Sequence, residues 1–433
     1  MTLLEIIENT ENLADLTTKF QGRKSQVSKE ITDIVEKIIE NIKTKGDEAL
    51  FNYAKQFDGA TLTPKNLIVT SEEFEEGLSQ IDEDYIRILE RTKTQIEEFH
   101  KHQLSNSWSI YKDEGIIMGQ IVRPLERVAL YVPGGTAAYP STVMMNAVPA
   151  KLAGVKELVI ITPTKAGGKV SPVILAAAKV VGVDRIYKVG GAQGIAALAY
   201  GTNSIPKVDK IVGPGNIFVA TAKKLCYGSV DIDMIAGPSE VLIIADENAN
   251  PKYVAADLMA QAEHDKLASA ILVTTSAPLI AAVNQELERQ IQQLERREII
   301  ESSLKNYGGA ILVRTIEEAF EVSNQLAPEH LEVLTLEPLN KLPLIKNAGS
   351  IFLGEHTPEP LGDYMSGTNH VLPTGGTAKF YSALGVYDFV KYSSYSYYPR
   401  ESLAKFKEDV EKFAKSEGLS AHANSITVRF DKE

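Results

Sequence analysis

The chain has 433 residues, enough at roughly 100–200 residues per domain for two to four domains, and its 44% hydrophobic and 24% charged make-up is that of an ordinary globular protein. With 45 Lys and Arg against 57 Asp and Glu the formal charge is −12, which argues against nucleic acid or an anionic membrane as the main partner. One cysteine, Cys226, excludes an intrachain disulfide and a Cys-rich zinc site, so any metal must be held by nitrogen and oxygen ligands.

No apolar run approaches the roughly 20 residues of a membrane-spanning helix, and the first residues carry acids where a signal peptide carries Lys or Arg. The expectation is a cytoplasmic protein. In chain order, Leu3, Leu4, Ile6, Ile7, Leu13 and Leu16 have loosely helical spacing and predict a small helical segment over 1–22 that docks on something else. Ile31, Ile34, Val35, Ile38, Ile39 and Ile42 predict a stronger helix, with Lys43 and Lys45 in its last turn and Gly46 placed to stop it. A second helix over 47–57 ends at Asp58-Gly59, a charged helical stretch runs from Ser71 to about His102, and Asp113-Glu114-Gly115 between apolar runs predicts a hairpin turn.

From Arg127 the pattern becomes short β-branched runs alternating with Ala-rich segments: RVALYV, ELVIIT, RIYKV and KIV, each followed by a helix. It resumes after IAGPSE with EVLIIA, AILVTT, GAILV, EVLT and SIFLG. Repeated βαβ units imply an α/β protein of two doubly wound, largely parallel modules. One spans 127–239; the other unites 23–126 with 240–381. The tail, 387–433, holds the cluster KYSSYSYY, a helix and a strand-like run SITVR. Too small to fold alone, it packs on the body or on another subunit.

The histidines are unevenly spread, five of seven falling at His264 and beyond. Gln261 and His264 are i and i+3 on an Ala-rich helix, one face, and can chelate one ion. The pair alone reads more readily as a surface histidine beside an amide. Glu329 and His330 in LAPEHLEV are a plausible general-base pair, or equally a first-turn glutamate beside an exposed histidine. Asp363 and His370 lie in TPEPLGDYMSGTNHVLPTGG, a long irregular stretch of the kind that carries function, where Asp363 could close a metal site. Glu417 and His422 read as solvated end residues. The Gly-rich turns YVPGGTAAYP, KVGGAQGIAAL, IVGPGN and IAGPSE follow strands, where open α/β sheets bind ligands, but none is a GxGxxG.

Taken in order and at their spacings, YVPGG, GGAQGIAALAYGT, VGPGN, IDMIAGPSE, DLMAQAEHD, LAPEHLE, TPEPLGDYMSGTNHVLPT and EGLSAHANSITVR closely resemble the histidinol dehydrogenase family. The resemblance implies incomplete Rossmann-like modules, a homodimer, one Zn2+ per subunit, and oxidation of L-histidinol through the aldehyde to L-histidine with two NAD, the last two steps of histidine biosynthesis. It implies zinc ligands Gln261, His264, Asp363 and His422; an acid–base pair Glu329 and His330; substrate contacts at Ser239, His370 and Glu417 as well as at His330 and the zinc ligands; and NAD contacts at Tyr131, Gln193 and Asn216. The tail, 387–433, would then be a dimerisation segment whose His422 and Glu417 reach the partner's site. Ser366 and Thr368 stand where the family usually has Ala and Pro. Two other readings fit an N/O metal site: a zinc hydrolase in which Glu329 activates water, and a non-catalytic metal or nucleotide sensor. The first leaves the Gly turns without a dinucleotide, the second leaves Glu329 and His330 without a task.

Overall fold

The structure, a computed structural model, describes residues 3–7, 29–134, 139–164, 168–235 and 237–431. The chain forms two compact units, Met1–Gln103 with Leu125–Phe389, and Leu104–Pro124 with Val390–Glu433.

Within the first unit, strand β1 (Ile6–Ile7) is followed by helices Lys29–Lys45, Asp47–Tyr53, Ser71–Leu78 and Glu83–His100. The hairpin strands β2 (Trp108–Tyr111) and β3 (Ile117–Pro124) come next in the chain and belong to the second unit. The βαβ pattern then supplies β4 (Arg127–Tyr131), β5 (Glu157–Ile161), β6 (Arg185–Tyr187), β7 (Lys210–Val212) and β8 (Asp231–Ile232), all parallel in the order β6-β5-β4-β7-β8. It repeats with β9 (Glu240–Ala245), β10 (Ser269–Thr274), β11 (Gly308–Leu312), β12 (His330–Leu334) and β13 (Ser350–Leu353), in the order β11-β10-β9-β12-β13, with β1 beside β11. The two sheets thus share one winding: the third, second and first strands in sequence, then the fourth and fifth. That is the doubly wound α/β arrangement with a switch point between first and fourth strands. Strands β4, β5, β7 and β9 to β12 are buried on both faces, which is why they read as continuous Val, Ile and Leu runs rather than alternations.

Four expectations are corrected. Ile6–Ile7 is strand, not helix, because its backbone pairs with Ala310 and Ile311; residues 1–2 and 8–22 of the predicted helical segment lie outside the described residues. The helices between 29 and 103 do not join the module of 240–381. Val35, Ile38, Ile42 and Leu50 pack instead with Ala129, Ile195 and Ala199 beside the first sheet, and Leu89 and Ile96 pack with Met144 and Leu175 on its other face. Each such fully buried side chain contributes about 1.5–3 kcal/mol at most. The hairpin does not join 240–381 either. Strand β14 (Val390–Tyr397), the predicted Tyr/Ser cluster, pairs antiparallel with β3, so hairpin and tail make one three-stranded sheet, β14-β3-β2. Finally, SITVR is helix Ser420–Thr427 and a 3-10 turn rather than strand; it packs on helix Arg400–Ser416.

Candidate active site

β8 ends at Ile232 on the carboxyl edge of the first sheet and β9 begins at Glu240 on the amino edge of the second, so only residues 233–239 join those two edges. At the carboxyl edge stand the three residues expected to contact NAD. Tyr131 ends β4, is 3% exposed, and its hydroxyl accepts from the Gly191 amide at 3.2 Å. Gln193 lies in the first turn of helix Gly191–Tyr200, buried, with its Nε2 lacking any partner. Asn216 caps helix Ile217–Cys226, its Oδ1 accepting from the amides of Phe218 and Val219. Two helix N-termini therefore face the edge where an anionic ligand is favoured. The turn between β7 and Asn216 requires glycine: Gly213 has φ +107°, and a Cβ there would sit 2.3 Å from the Tyr131 carbonyl oxygen.

Ionisable groups gather at the amino edge of the second sheet, the edge opposite to the one at which open α/β sheets ordinarily bind ligands. His330 opens β12 and Glu329 precedes it in a bend, so Glu329 is not the first-turn residue of a helix and His330 is not exposed. Glu329 is 6% exposed and its Oε2 accepts from the Glu240 amide at 2.8 Å; burial holds its carboxyl well above the usual range. His330 is 4% exposed and places Nδ1 3.0 Å from the Glu240 carbonyl. A carbonyl only accepts, so Nδ1 carries the hydrogen and Nε2 the lone pair. Nε2 has no hydrogen-bond partner and lies 3.8 Å from Glu359 Oε1. Burial lowers the imidazole pKa to about 3, which keeps it neutral and basic at the open nitrogen.

Gln261, at the end of helix Pro251–Ala262, is wholly buried, and neither its Oε1 nor its Nε2 has a partner. One turn on, His264 is exposed at the rim, with its pKa lowered by desolvation and by Arg296. Asp363 lies on helix Glu359–Tyr364, and one donor atom each of His264, Glu359 and Asp363 falls within 4.8 Å of the others. His370 Nδ1 is 3.7 Å from Asp363 Oδ1, and burial lowers its pKa to about 4. Burial raises Asp363 to about 6 and Glu359 to about 9. Carboxyls crowded beside an orphaned buried amide and an imidazole make a donor set that could hold a divalent cation, of the N/O kind that zinc accepts. Ser239 precedes Glu240 at the same edge, half-buried.

Glu417 and His422 belong to the second unit, both exposed, Glu417 at the end of helix Arg400–Ser416 and His422 in helix Ser420–Thr427. The irregular stretch after Thr357 is not wholly irregular, since Glu359–Tyr364 is helical; beyond it, the Ser366 and Thr368 hydroxyls bond at 2.6 Å. Cys226 is buried and its thiol is pushed up to about 11, so it offers no nucleophile. A cavity of about 350 Å³ lies away from this cluster, lined by Glu73, Pro133, Thr164, Lys169 and Ser171 among others, and by none of the sequence-predicted site residues.

Sequence reasoning missed Glu240, Glu332 and Glu359. Glu240 joins the base pair to the loop: besides its backbone bonds, its Oε1 accepts from the Gly375 amide at 3.0 Å. The missed signals were a charged residue inside the apolar strand HLEVL and a glutamate four residues before Asp363, one turn away on a helix.

A sequence model of the Histidinol dehydrogenase family matches residues 21–430. The chain is 74% identical over 430 residues to a histidinol dehydrogenase of Lactococcus lactis, covering 99% of this chain and 100% of that one. It is 57% identical to one of Clostridium acetobutylicum over 95% of this chain and 96% of that one. Its fold matches the crystal structure of histidinol dehydrogenase from Elizabethkingia anophelis with a TM-score of 0.93 and 38% identity, over 99% of this chain and 98% of the other.

Proposed function

The chain belongs to the histidinol dehydrogenase family, and from that premise we propose that it oxidises L-histidinol through L-histidinaldehyde to L-histidine, the last two steps of histidine biosynthesis, using one zinc ion per subunit and two NAD per turnover. The observation that carries the reading is the buried, neutral His330, whose bare Nε2 faces the donor cluster while Glu329 stands beside it.

Gln261, His264, Asp363 and His422 would hold the zinc, which when bound supplies a positive charge that offsets the crowded carboxyls and orients the substrate's nitrogen donors. NAD, held by Tyr131, Gln193 and Asn216, would accept the hydride. His330 Nε2 takes the alcohol proton as the C–H bond gives up its hydride, leaving the aldehyde. Glu329, as the carboxylate to which the Glu240 amide donates, takes a proton from the water that adds to the aldehyde carbon while His330 returns its proton to the aldehyde oxygen, forming the hydrate and freeing Nε2. His330 then takes the hydrate's hydroxyl proton as the second hydride leaves and the acid forms. Ser239, His370 and Glu417 would bind the substrate. Burial around Glu329 and His330 keeps bulk water from competing with the single water the hydration needs.

His422 and Glu417 would act in the site of a partner subunit, in a homodimer. Support comes from the second unit, which exposes Trp108, Ile110, Tyr111, Tyr397, Phe406 and Phe413, apolar area that a second copy would cover. Among the described residues no helix is long and apolar enough to cross a membrane; the proposed setting is the cytoplasm, and the proposed partners are histidinol and a second subunit, neither nucleic acid nor membrane.

Mixing zinc-loaded protein with histidinol and NAD tests the reading. Reduced-nicotinamide absorbance should grow, and should fail to grow after chelation. Turnover of an amide without NAD would point instead to the hydrolase.

A further inference from the structure

Glu332 follows His330 by two residues in β12, on the same face of the strand, and is wholly buried between Leu331 and Val333. A carboxyl in such a place needs partners. Its Oε1 accepts from the Glu359 amide at 2.8 Å, at the start of the short helix that carries Glu359 and Asp363. Its Oε2 has no permanent donor, and the group it meets is the carboxyl of Asp257. Two carboxyls side by side in a buried place bond only by sharing a proton. Asp257 stands one turn before Gln261 on helix Pro251–Ala262. One side chain therefore touches all three elements that bring the site together: the strand of His330, the helix of Asp363, and the helix that ends in Gln261 and leads to His264.

We propose that Glu332 is a positioning residue, joining helix Glu359–Tyr364 and helix Pro251–Ala262 to β12 so that His330 Nε2 and the donors Gln261, His264 and Asp363 keep one mutual geometry. The consequence for zinc and histidinol rests on the function proposed above; the junction itself does not. Residues that orient ligands from behind typically carry about 10–100-fold in metal affinity or activity.

The test compares wild type with Glu332→Gln, which keeps an acceptor for the Glu359 amide and offers Asp257 a donor, and with Glu332→Leu, which keeps the bulk and removes both bonds. Three quantities are read: hydrogen exchange of the Glu359 amide in zinc-free protein, zinc affinity by chelator competition, and kcat and KM for histidinol. For Glu332→Leu the expected results are an amide exchanging at least about 10-fold faster, zinc held about 10–100-fold more weakly, and a fall in kcat larger than the rise in KM. Glu332→Gln should stay within a few-fold of wild type in all three. Wild-type exchange and zinc affinity in Glu332→Leu would overturn the proposal. Should Glu332→Leu lack a cooperative unfolding transition, Asp257→Leu, which cuts only the link to the Gln261 helix, should weaken zinc while leaving the Glu359 amide protected; unchanged zinc affinity there would overturn it. If wild type itself neither binds zinc nor oxidises histidinol, the proposed function fails, and the exchange measurement still decides whether Glu332 makes the junction.

Discussion

The Glu240 carbonyl decides which nitrogen of His330 is the base, and burial keeps that nitrogen unprotonated; neither is visible in the residue pair Glu329-His330 itself. Their separate tasks predict separate losses. His330→Ala should slow the first hydride transfer by about 10²–10⁴-fold, the usual worth of a positioned acid–base group. Glu329→Gln should preserve much of the single-turnover formation of the first reduced nicotinamide while steady-state formation of histidine falls. Equal loss of the first transfer in both variants would remove the distinction. The same burial makes zinc-free stability depend on pH from both sides. Asp363 and Glu359 have folded pKa values of about 6 and about 9, above their unfolded values, so the stability they contribute is lost as pH rises through about 6 and then about 9. His330 and His370 have folded values of about 3 and about 4, below the unfolded value near 6.5, so their contribution is lost as pH falls below about 6.5. Unfolding of zinc-free protein should show Tm falling from pH 6 to pH 9. With zinc neutralising the carboxylates the fall should shrink, so the Tm gain on adding zinc should widen with pH; parallel curves would contradict the donor set.

The turn between β7 and helix Ile217–Cys226 is braced by a buried ion pair. Lys223 Nζ bonds Asp233 and donates to the Gly213 carbonyl at 2.8 Å, while Asp233 Oδ2 accepts from the Gly213 amide at 2.7 Å. Removing one partner strands the other charge, at a cost of about 3–5 kcal/mol. Lys223→Met should therefore lose about that much in urea unfolding and raise the KM for NAD, since Asn216 hangs on this turn; an unchanged KM would separate the turn from the dinucleotide. Elements of this kind show how far the residues alone could be read. Buried parallel strands announced themselves as β-branched runs, and the stripe Val35, Ile38, Ile42 announced a helix, because each pattern is local. What covers a stripe is not local: it says that a face is buried and leaves the partner open, so the early helices were assigned to the wrong sheet. SITVR has strand propensity, but packing on helix Arg400–Ser416 overrides it. In the site, Gln261, His264, Glu329, His330 and Asp363 were legible as candidates, and their assembly only through the family resemblance. Glu332 and Glu359 went unread because a charge in a buried strand gains its meaning from neighbours distant in sequence.

At the scale of the whole molecule, the proposed zinc set draws on both units: Gln261, His264 and Asp363 belong to the first, His422 to the second. If His422 serves the partner, mixing His330→Ala subunits with His422→Ala subunits should restore activity, because each hybrid dimer then has one site with an intact body and an intact tail. No recovery after verified subunit exchange would confine each site to one chain. The central proposal is a four-electron oxidation at a single site. Its most direct test is the molar ratio of NAD reduced to histidinol consumed by the zinc-loaded protein, with the product identified. Two NAD per histidinol, with histidine as the product, are expected; a ratio of one with the aldehyde accumulating would rule out the four-electron oxidation.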